Sequence, residues 1–200
     1  MLWFAASFFL VGLAYAFNWP KIFGKRADGT LPLWSKLLNA PYLFVYGTTF
    51  FLLNRIISYE EPWHRLQEDI YIGRWLSAKE SEKLLALEEI TNWVDLTSER
   101  KDSLQVRSTT NYLSLPTLDA SVPTPERLLA TLAKLQPGIT YIHCAQGHGR
   151  TALFTIALLM QREATKSCEE ALEKIVTARP GAHISERQLN LVKQIFEPQI

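Results

Sequence analysis

The chain contains 200 residues, of which 48% are hydrophobic and 20% are charged, and its formal net charge is +1. This length is typical of one globular domain, or of a smaller domain with an appended segment. Two cysteines are too few for a disulfide-built scaffold or a four-cysteine zinc site, and the near-neutral charge argues against a nucleic-acid binder.

Charge is distributed unevenly along the chain. Residues 1–59 carry five basic side chains and one acidic side chain, whereas residues 60–200 carry 16 basic and 19 acidic side chains. We therefore expect two parts, a membrane-anchoring helical hairpin over 1–59 and a soluble domain over 60–200.

Two uncharged and largely apolar stretches, 2–17 and 37–54, dominate the N-terminal part. A membrane-spanning helix needs about 17–25 such residues. Trp3, Trp19 and Trp34 lie near the ends of the stretches, where aromatic residues meet the membrane interface. The pattern predicts two membrane-spanning helices and a membrane location.

Two other interpretations of these stretches stay open. Ala14-Tyr15-Ala16 resembles a signal-peptide cleavage site, although no basic residues precede it, and an apolar hairpin can also be buried in a protein core. If the hairpin spans a membrane, the positive-inside rule places its basic loop in the cytoplasm. Both chain ends and the soluble domain would then face the other side, and a re-entrant second stretch would reverse that topology.

Beyond residue 62 the pattern becomes that of an α/β domain. Short apolar runs predict strands over 69–72, 93–96, 112–115 and 139–143. Capping patterns predict helices over 77–89 and 124–136, and two more that begin after Ser167 and Ser185. A glycine-bearing loop leads into a further predicted helix over 151–161. This alternation predicts a mostly parallel central sheet flanked by helices, preceded by the two apolar helices.

The stretch 141–151 joins a buried strand to a helix through a loop with two glycines. Free N–H groups at a helix N-terminus bind anions, and Gly147 and Gly149 allow the loop N–H groups to turn inward. Arg150 offers a planar fork for two phosphate oxygens. The same positive field stabilises a thiolate at Cys144, which is the nucleophilic form of cysteine.

These residues carry a resemblance to a known family. His143, Cys144, Gly147, Arg150 and Thr151 occupy every fixed position of the pattern H-C-x-x-G-x-x-R-[S/T], and the chain resembles the cysteine-dependent protein tyrosine phosphatase superfamily. The resemblance extends over roughly residues 66–196 and is nearest to the compact dual-specificity branch.

The resemblance implies a cysteine phosphatase-like fold and a phosphoric monoester hydrolase that forms a cysteinyl-phosphate intermediate. It implies no cofactor and no metal. Thr151 is placed to hydrogen-bond Cys144 and ease its departure in the second step. Substrate would be bound by the loop residues Ala145, Gln146, Gly147, His148, Gly149 and Arg150.

The family also uses an aspartate on an upstream loop, first as general acid and then as general base. Asp119 is our candidate, because it follows a predicted strand and precedes a proline-rich turn, 25 residues before Cys144. Asp95 and Asp102 are the rivals. We expect Asp95 to anchor a turn and Asp102, in a charged loop, to be solvated.

Four further side chains have two interpretations each. His143 is implied by the resemblance to fix the loop rather than to act as a base. His148 lines the pocket mouth or is solvated, and Gln188 positions water or serves only as a helix cap. Cys168 is an inert buried residue, or it pairs reversibly with Cys144 under oxidation.

The substrate class also stays open. The loop has none of the lysines that relatives acting on polyphosphorylated inositol lipids often carry. We expect a membrane-anchored phosphatase of phosphoproteins, in contact with the lipid bilayer through residues 1–59 and with no nucleic-acid partner. The alternatives are a phosphatase of a phospholipid or lipid-linked monophosphate, and a phosphate-binding module with little turnover.

Overall fold

A computed structural model of the chain describes residues 1–52 and 60–197. Its strands form one sheet in the order β1-β2-β5-β3-β4. β1 runs antiparallel to β2 and the other pairs are parallel, so the predicted mostly parallel sheet is confirmed. The strands are β1 (Trp63–Gln67), β2 (Ile70–Arg74), β3 (Ile90–Thr97), β4 (Asn111–Thr117) and β5 (Ile139–Cys144).

The edge strand β1 was not predicted, because none of its side chains is fully buried and its sequence lacks an apolar run. The helices of this part are α4 (Ala78–Leu87), α5 (Leu104–Thr109), α6 (Pro125–Leu132), α7 (Gly149–Gln161), α8 (Cys168–Ala178) and α9 (Glu186–Phe196). The capping boxes predicted at Ser77 and Ser185 are complete, and the Ser167 hydroxyl accepts from the Glu170 N–H.

Two apolar clusters cover the two faces of the sheet. The larger cluster packs Val94 and Ile142 against helices α6, α7, α8 and α9. The smaller one packs Trp93 and Tyr141 with residues of α4 and α5. The central strand β5 is therefore buried on both faces, and its carboxyl end delivers Cys144 to the edge of the sheet where parallel α/β folds place their ligands.

The N-terminal segment, residues 1–52, contains α1 (Leu2–Ala16), a 3₁₀ helix (Pro20–Phe23), α2 (Leu33–Leu38) and α3 (Ala40–Leu52). Among the described residues, no helix has both the length and the apolar character needed to cross a membrane. The predicted pair of spanning helices is therefore not supported. Residues 53 and 54 of the second predicted stretch, and the boundary predicted at residue 59, lie outside the described residues.

Two asparagines lie where the N-terminal helices end, Asn18 just after the first apolar stretch and Asn39 within the second. Asn18 has a left-handed backbone (φ 48°) and follows the end of α1. Asn39 separates α2 from α3, and its buried amide donates to the Ser35 carbonyl at 3.0 Å. Counting apolar residues alone does not reveal these breaks, because asparagine is uncharged.

The N-terminal segment packs on the soluble part. Val11, Ala14, Ile22 and Phe23 form a buried cluster with Leu118, which follows β4. The segment is thus joined to the domain through a shared core, next to the candidate general acid at position 119.

Candidate active site

The Cys144 loop, residues 144–150, begins where β5 ends and closes at the start of α7. Gly147 has φ +76°, a conformation that glycine adopts without strain. A Cβ atom there would lie 2.4 Å from the carbonyl carbon of Gly73. Glycine is therefore required at this position by both its backbone angle and its close approach to β2.

Cys144 is buried, and its Sγ accepts a hydrogen bond from the Gly147 N–H at 3.2 Å. The sulfur thus lies beside the N-terminus of α7, where free N–H groups favour a negative charge. Thr151 is also buried, but its hydroxyl has no hydrogen-bond partner within the described ranges. The predicted hydrogen bond from Thr151 to Cys144 is absent from the described contacts.

Arg150 is 2% exposed and is held by a carboxylate that the sequence did not single out. Its Nη2 lies 3.1 Å from Glu99 Oε1 and its Nη1 3.3 Å from Glu99 Oε2. The Nη1 also donates to the Thr117 carbonyl at 2.9 Å. Burial raises the pKa of Glu99, but the charge and hydrogen bonds of Arg150, together with the Tyr46 hydroxyl, outweigh burial and keep that pKa below its usual value.

Asp119 lies in the acid loop, residues 118–122. Its side chain is 69% exposed, and its Oδ1 lies 3.4 Å from Arg150 Nε. Asp119, Cys144 and Arg150 line the same cavity. Of the three candidate aspartates, Asp119 is the one placed where it can exchange a proton with a group bound over Cys144.

Asp102 is buried, so the expectation that it is solvated is wrong. It bonds to His143 Nε2 at 3.0 Å and accepts from the indole Nε1 of Trp93 at 3.2 Å. Burial lowers the pKa of His143, but the charges of Asp102 and Asp95 outweigh this and raise it above its ordinary value. His143 therefore ties the end of β5 to the Asp102 loop, in keeping with a supporting role.

Asp95 is fully buried and is paired with Lys25 of the N-terminal segment. The Lys25 ammonium also donates to the Thr97 carbonyl at 2.7 Å, and the Tyr112 hydroxyl donates to Asp95. Asp95, Asp102 and His143 have the donor atoms of a metal site within 4.8 Å of one another. Since Lys25 already neutralises Asp95, this arrangement is a buried ion-pair network.

The remaining predicted residues border the cavity. His148 lines it, with its Nε2 2.8 Å from Glu60 Oε2 and its ring 5.6 Å from that of His183. Gln188 accepts from the Ser185 N–H as a helix cap, and its Nε2 also donates to the Ser121 carbonyl at 3.0 Å. Gln188 thus joins α9 to the acid loop.

Arg179 supports the Cys144 loop and was not predicted. Its Nε donates to the Gly147 carbonyl at 3.0 Å and its Nη2 to the Gln146 carbonyl at 2.9 Å. It also pairs with Glu60 at 2.8 Å. Arg179 thus fixes two carbonyls of the loop whose Gly147 N–H bonds to Cys144 Sγ.

Cys168 lies fully buried at the start of α8. Burial and the nearby Glu197 raise the pKa of its thiol to about 12. The thiolate needed for disulfide exchange is therefore scarce at neutral pH, which favours the inert interpretation of this residue.

Helix α3 supplies one wall of the cavity, which has a volume of about 370 Å³. Tyr46, Thr49 and Phe50 lie on this wall, opposite the loop that carries Cys144. From the sequence, these residues were expected in a membrane anchor separate from the soluble domain. The apolar pattern predicted a helix here. Its contact with the site depends on packing between residues far apart in the chain, which a local pattern does not encode.

The fold is that of dual-specificity and tyrosine phosphatases. The structure of PTPMT1 in complex with PI(5)P has a TM-score of 0.61 at 23% identity, over 68% of this chain and 96% of that chain. Human DUSP28 has a TM-score of 0.60 at 21% identity, over 68% and 94%. Tk-PTP in the active form has a TM-score of 0.60 at 24% identity, over 69% and 98%. The sequence matches no protein-family model and no curated protein.

Proposed function

We propose that the chain is a cysteine-dependent phosphatase of phosphomonoesters. The observation that carries the proposal is the meeting of Cys144, Arg150 and Asp119 at one cavity. Both terminal nitrogens of the buried Arg150 guanidinium are engaged, whereas its Nε makes no hydrogen bond within the described residues and has only the exposed Asp119 carboxylate, 3.4 Å away, as an ion-pair partner. A phosphoryl oxygen bound over Cys144 would give this buried donor the hydrogen bond it lacks.

The chemistry has two steps. The Cys144 thiolate attacks phosphorus in line; the S–P bond forms while the P–O bond to the leaving group breaks. Asp119 gives its proton to the leaving oxygen. In the second step water attacks the cysteinyl phosphate, Asp119 takes a proton from that water, and the thiolate departs. Arg150 and the loop N–H groups stabilise the charge on the non-bridging oxygens throughout.

No step of this mechanism uses a metal ion. Phosphate release is therefore expected to be the same with and without a chelator. Loss of activity on chelation, restored by a divalent cation, would contradict the mechanism.

Phosphoproteins carrying phosphotyrosine, phosphoserine or phosphothreonine are the proposed substrates, since the loop carries no lysine for a highly charged head group. A phospholipid or lipid-linked monophosphate is the second candidate. It is favoured by the wall that Tyr46 and Phe50 contribute to the cavity, and one structural neighbour, PTPMT1, was solved in complex with PI(5)P. A binding module with little turnover is disfavoured, because Cys144, Arg150 and Asp119 share one cavity.

Phosphate release from a phosphopeptide panel and a phospholipid panel distinguishes these candidates. The protein is the full chain purified in detergent, and Cys144→Ser is the blank. Release from peptides alone supports the first candidate, and release from lipids alone supports the second. If neither panel gives release that depends on Cys144, a generic aryl phosphate separates an untested substrate from a binding module.

Attachment to a lipid bilayer through residues 1–59 is also proposed, and with it a membrane location. The N-terminal segment exposes more than half of each of several aromatic side chains, an unusual amount of apolar surface for a soluble monomer. Exposed Lys21, Arg26 and Lys36 would complement anionic lipid headgroups. The aromatic side chains are Trp3, Phe4, Phe9, Phe17, Trp34, Phe44 and Phe51.

Two measurements test this attachment. The full chain should co-sediment with vesicles of phosphatidylcholine and phosphatidylglycerol, and Phe9→Glu with Phe44→Glu should abolish co-sedimentation. Failure of the unaltered chain to bind would contradict the attachment. Carbonate treatment of membranes then separates the two modes of binding, because it releases surface-bound protein and retains a chain that is integrated.

A further inference from the structure

The N-terminal segment contacts the acid loop and the arginine of the candidate active site at two separate points. We propose that Asn18 and Tyr46 are positioning residues for the reaction, Asn18 for Asp119 and Tyr46 for Arg150. The inference rests on the proposed phosphatase function. It assigns the N-terminal segment a role in catalysis beside any role in membrane attachment.

Asn18 holds the acid loop through both ends of its side-chain amide. Its Nδ2 donates to the Val122 carbonyl at 3.1 Å, and its Oδ1 accepts from the Ser121 hydroxyl. The left-handed backbone at Asn18 (φ 48°) directs the chain away from α1 at this point. Asparagine tolerates this conformation better than other residues with a Cβ.

Apolar packing fixes the other side of the same loop. Leu118, directly before Asp119, is 1% exposed and lies among Val11, Ala14, Ile22 and Phe23. Ala120, directly after Asp119, has φ 52°, a left-handed conformation that is unfavourable for a residue with a Cβ. Contacts on both sides of Asp119 therefore maintain a loop conformation that the loop sequence alone does not favour.

Tyr46 acts at the second point, through Glu99. Its hydroxyl donates to Glu99 Oε1 at 2.8 Å, and the same oxygen lies 3.1 Å from Arg150 Nη2. The Tyr46 ring stacks on that of Tyr42, with centroids 5.9 Å apart and an angle of 18° between the rings. The hydroxyl is thus held where it fixes the Glu99 carboxylate and, through it, the orientation of the Arg150 guanidinium.

The two contacts predict two different kinetic effects. If Asp119 is misplaced, hydrolysis slows most for the substrates whose leaving oxygen most needs a proton. Phenyl phosphate, with a basic leaving group, should suffer more than 4-nitrophenyl phosphate. Misorienting Arg150 weakens the binding of any tetrahedral oxyanion and slows both substrates equally.

The variants are made in the full chain. Asn18→Gly removes the amide and leaves the left-handed backbone unstrained, and Tyr46→Phe removes only a hydroxyl. Tyr42→Phe is the matched control, because it removes a hydroxyl one turn earlier on α3 and leaves the ring stack. For each protein, kcat/KM is measured on both aryl phosphates, together with the inhibition constant of tungstate and the unfolding temperature.

For Asn18→Gly we expect the loss of kcat/KM on phenyl phosphate to exceed that on 4-nitrophenyl phosphate by about tenfold, with unchanged tungstate inhibition. For Tyr46→Phe we expect about tenfold weaker tungstate inhibition and equal losses on the two substrates. Tyr42→Phe should match the unaltered chain. A lower unfolding temperature indicates a general loss of structure, and such a loss would change all three kinetic measurements together.

The inference is overturned if both variants behave like Tyr42→Phe. It is also overturned if each variant loses activity equally on both substrates in step with a lower unfolding temperature, without the substrate dependence expected for Asn18→Gly or the weaker tungstate inhibition expected for Tyr46→Phe. Turnover by the unaltered chain separates this failure from a failure of the proposed function. If the unaltered chain hydrolyses neither aryl phosphate, the proposed function is overturned and the inference with it.

Discussion

The Glu99 carboxylate binds both terminal nitrogens of Arg150, at 3.1 and 3.3 Å, and both side chains are buried. A two-point contact of this kind sets the plane of the guanidinium as well as its position. It leaves Nε of Arg150 with no hydrogen bond in the described part of the chain and with only the exposed Asp119 carboxylate, 3.4 Å away, as an ion-pair partner. In the proposed reaction, an oxyanion bound over Cys144 would meet an arginine edge whose orientation is already set by Glu99.

Glu99→Gln is expected to weaken oxyanion binding. The amide keeps the shape of the side chain but removes its charge and one acceptor oxygen, so the two-point contact with Arg150 is lost. Removing one partner of a buried ion pair costs about 3–5 kcal/mol, and we expect a lower unfolding temperature together with tungstate inhibition weaker by at least about tenfold. Exposed Glu82→Gln is the control. Unaltered tungstate inhibition in Glu99→Gln would show that Arg150 is oriented by other contacts.

The same carboxylate predicts how stability depends on pH. Despite the opposing effect of burial, the Arg150 guanidinium holds the pKa of Glu99 below its ordinary value of 4.5. Unfolding at low pH therefore takes up a proton at this position. The stabilisation is present above the unfolded-state pKa and is lost as the pH falls through the folded-state pKa.

Unfolding temperature measured from about pH 6 to about pH 3 tests this linkage. The unaltered chain should lose stability steadily on acidification, and Glu99→Gln should have a shallower slope. Equal slopes in the two proteins would mean that other groups govern the acid transition.

Asp119→Asn is expected to lower kcat by about 10²–10⁴, the usual contribution of general acid–base catalysis. The exposed carboxylate of Asp119 lies 3.4 Å from Arg150 Nε, on the cavity that contains Cys144. Asp69→Asn, at an exposed ion pair with Arg162, controls for loss of surface charge. A full rate in Asp119→Asn would remove the acid role from this residue.

Lys25→Met tests whether the N-terminal segment is an energetic part of the domain. The substitution leaves Asp95 buried without its ammonium partner, and we expect a loss of about 3–5 kcal/mol in the free energy of unfolding. Lys36→Met, at an exposed position on α2, should change stability by less than about 0.5 kcal/mol. Urea denaturation measures both. Equal stability of the two variants would mean that the Lys25 contact adds nothing to the fold.

The sequence predicted the features whose determinants lie close together in the chain. The loop from His143 to Thr151 is one continuous stretch, and its place between β5 and α7 was predicted from neighbouring residues. The resemblance implied an upstream aspartate, and the strand and proline-rich turn around Asp119 pointed to a residue that the structure places on the same cavity as Cys144. The capping boxes at Ser77 and Ser185 each extend over four residues and were predicted correctly.

What the sequence missed depends on contacts between distant positions. Glu99 is 51 residues from Arg150, and Tyr46 is 53 residues from Glu99. Asp102 follows Arg100 and Lys101 in the chain, which suggested an exposed loop, but its carboxylate turns inward to His143. One signal was present for Glu99, because it follows a strand whose carboxyl end meets that of β5 at the same edge of the sheet.

The most direct test of the account is capture of the cysteinyl phosphate. A full-chain sample of Asp119→Asn is mixed with 4-nitrophenyl phosphate, quenched within the first turnovers and digested for mass spectrometry. The account predicts one added phosphoryl group on the peptide that contains Cys144, lost when Cys144 is replaced by Ser. Two results would contradict it. One is rapid turnover by the unaltered chain with no phosphoryl group on Cys144 at any quench time, and the other is a phosphoryl group that persists in Cys144→Ser.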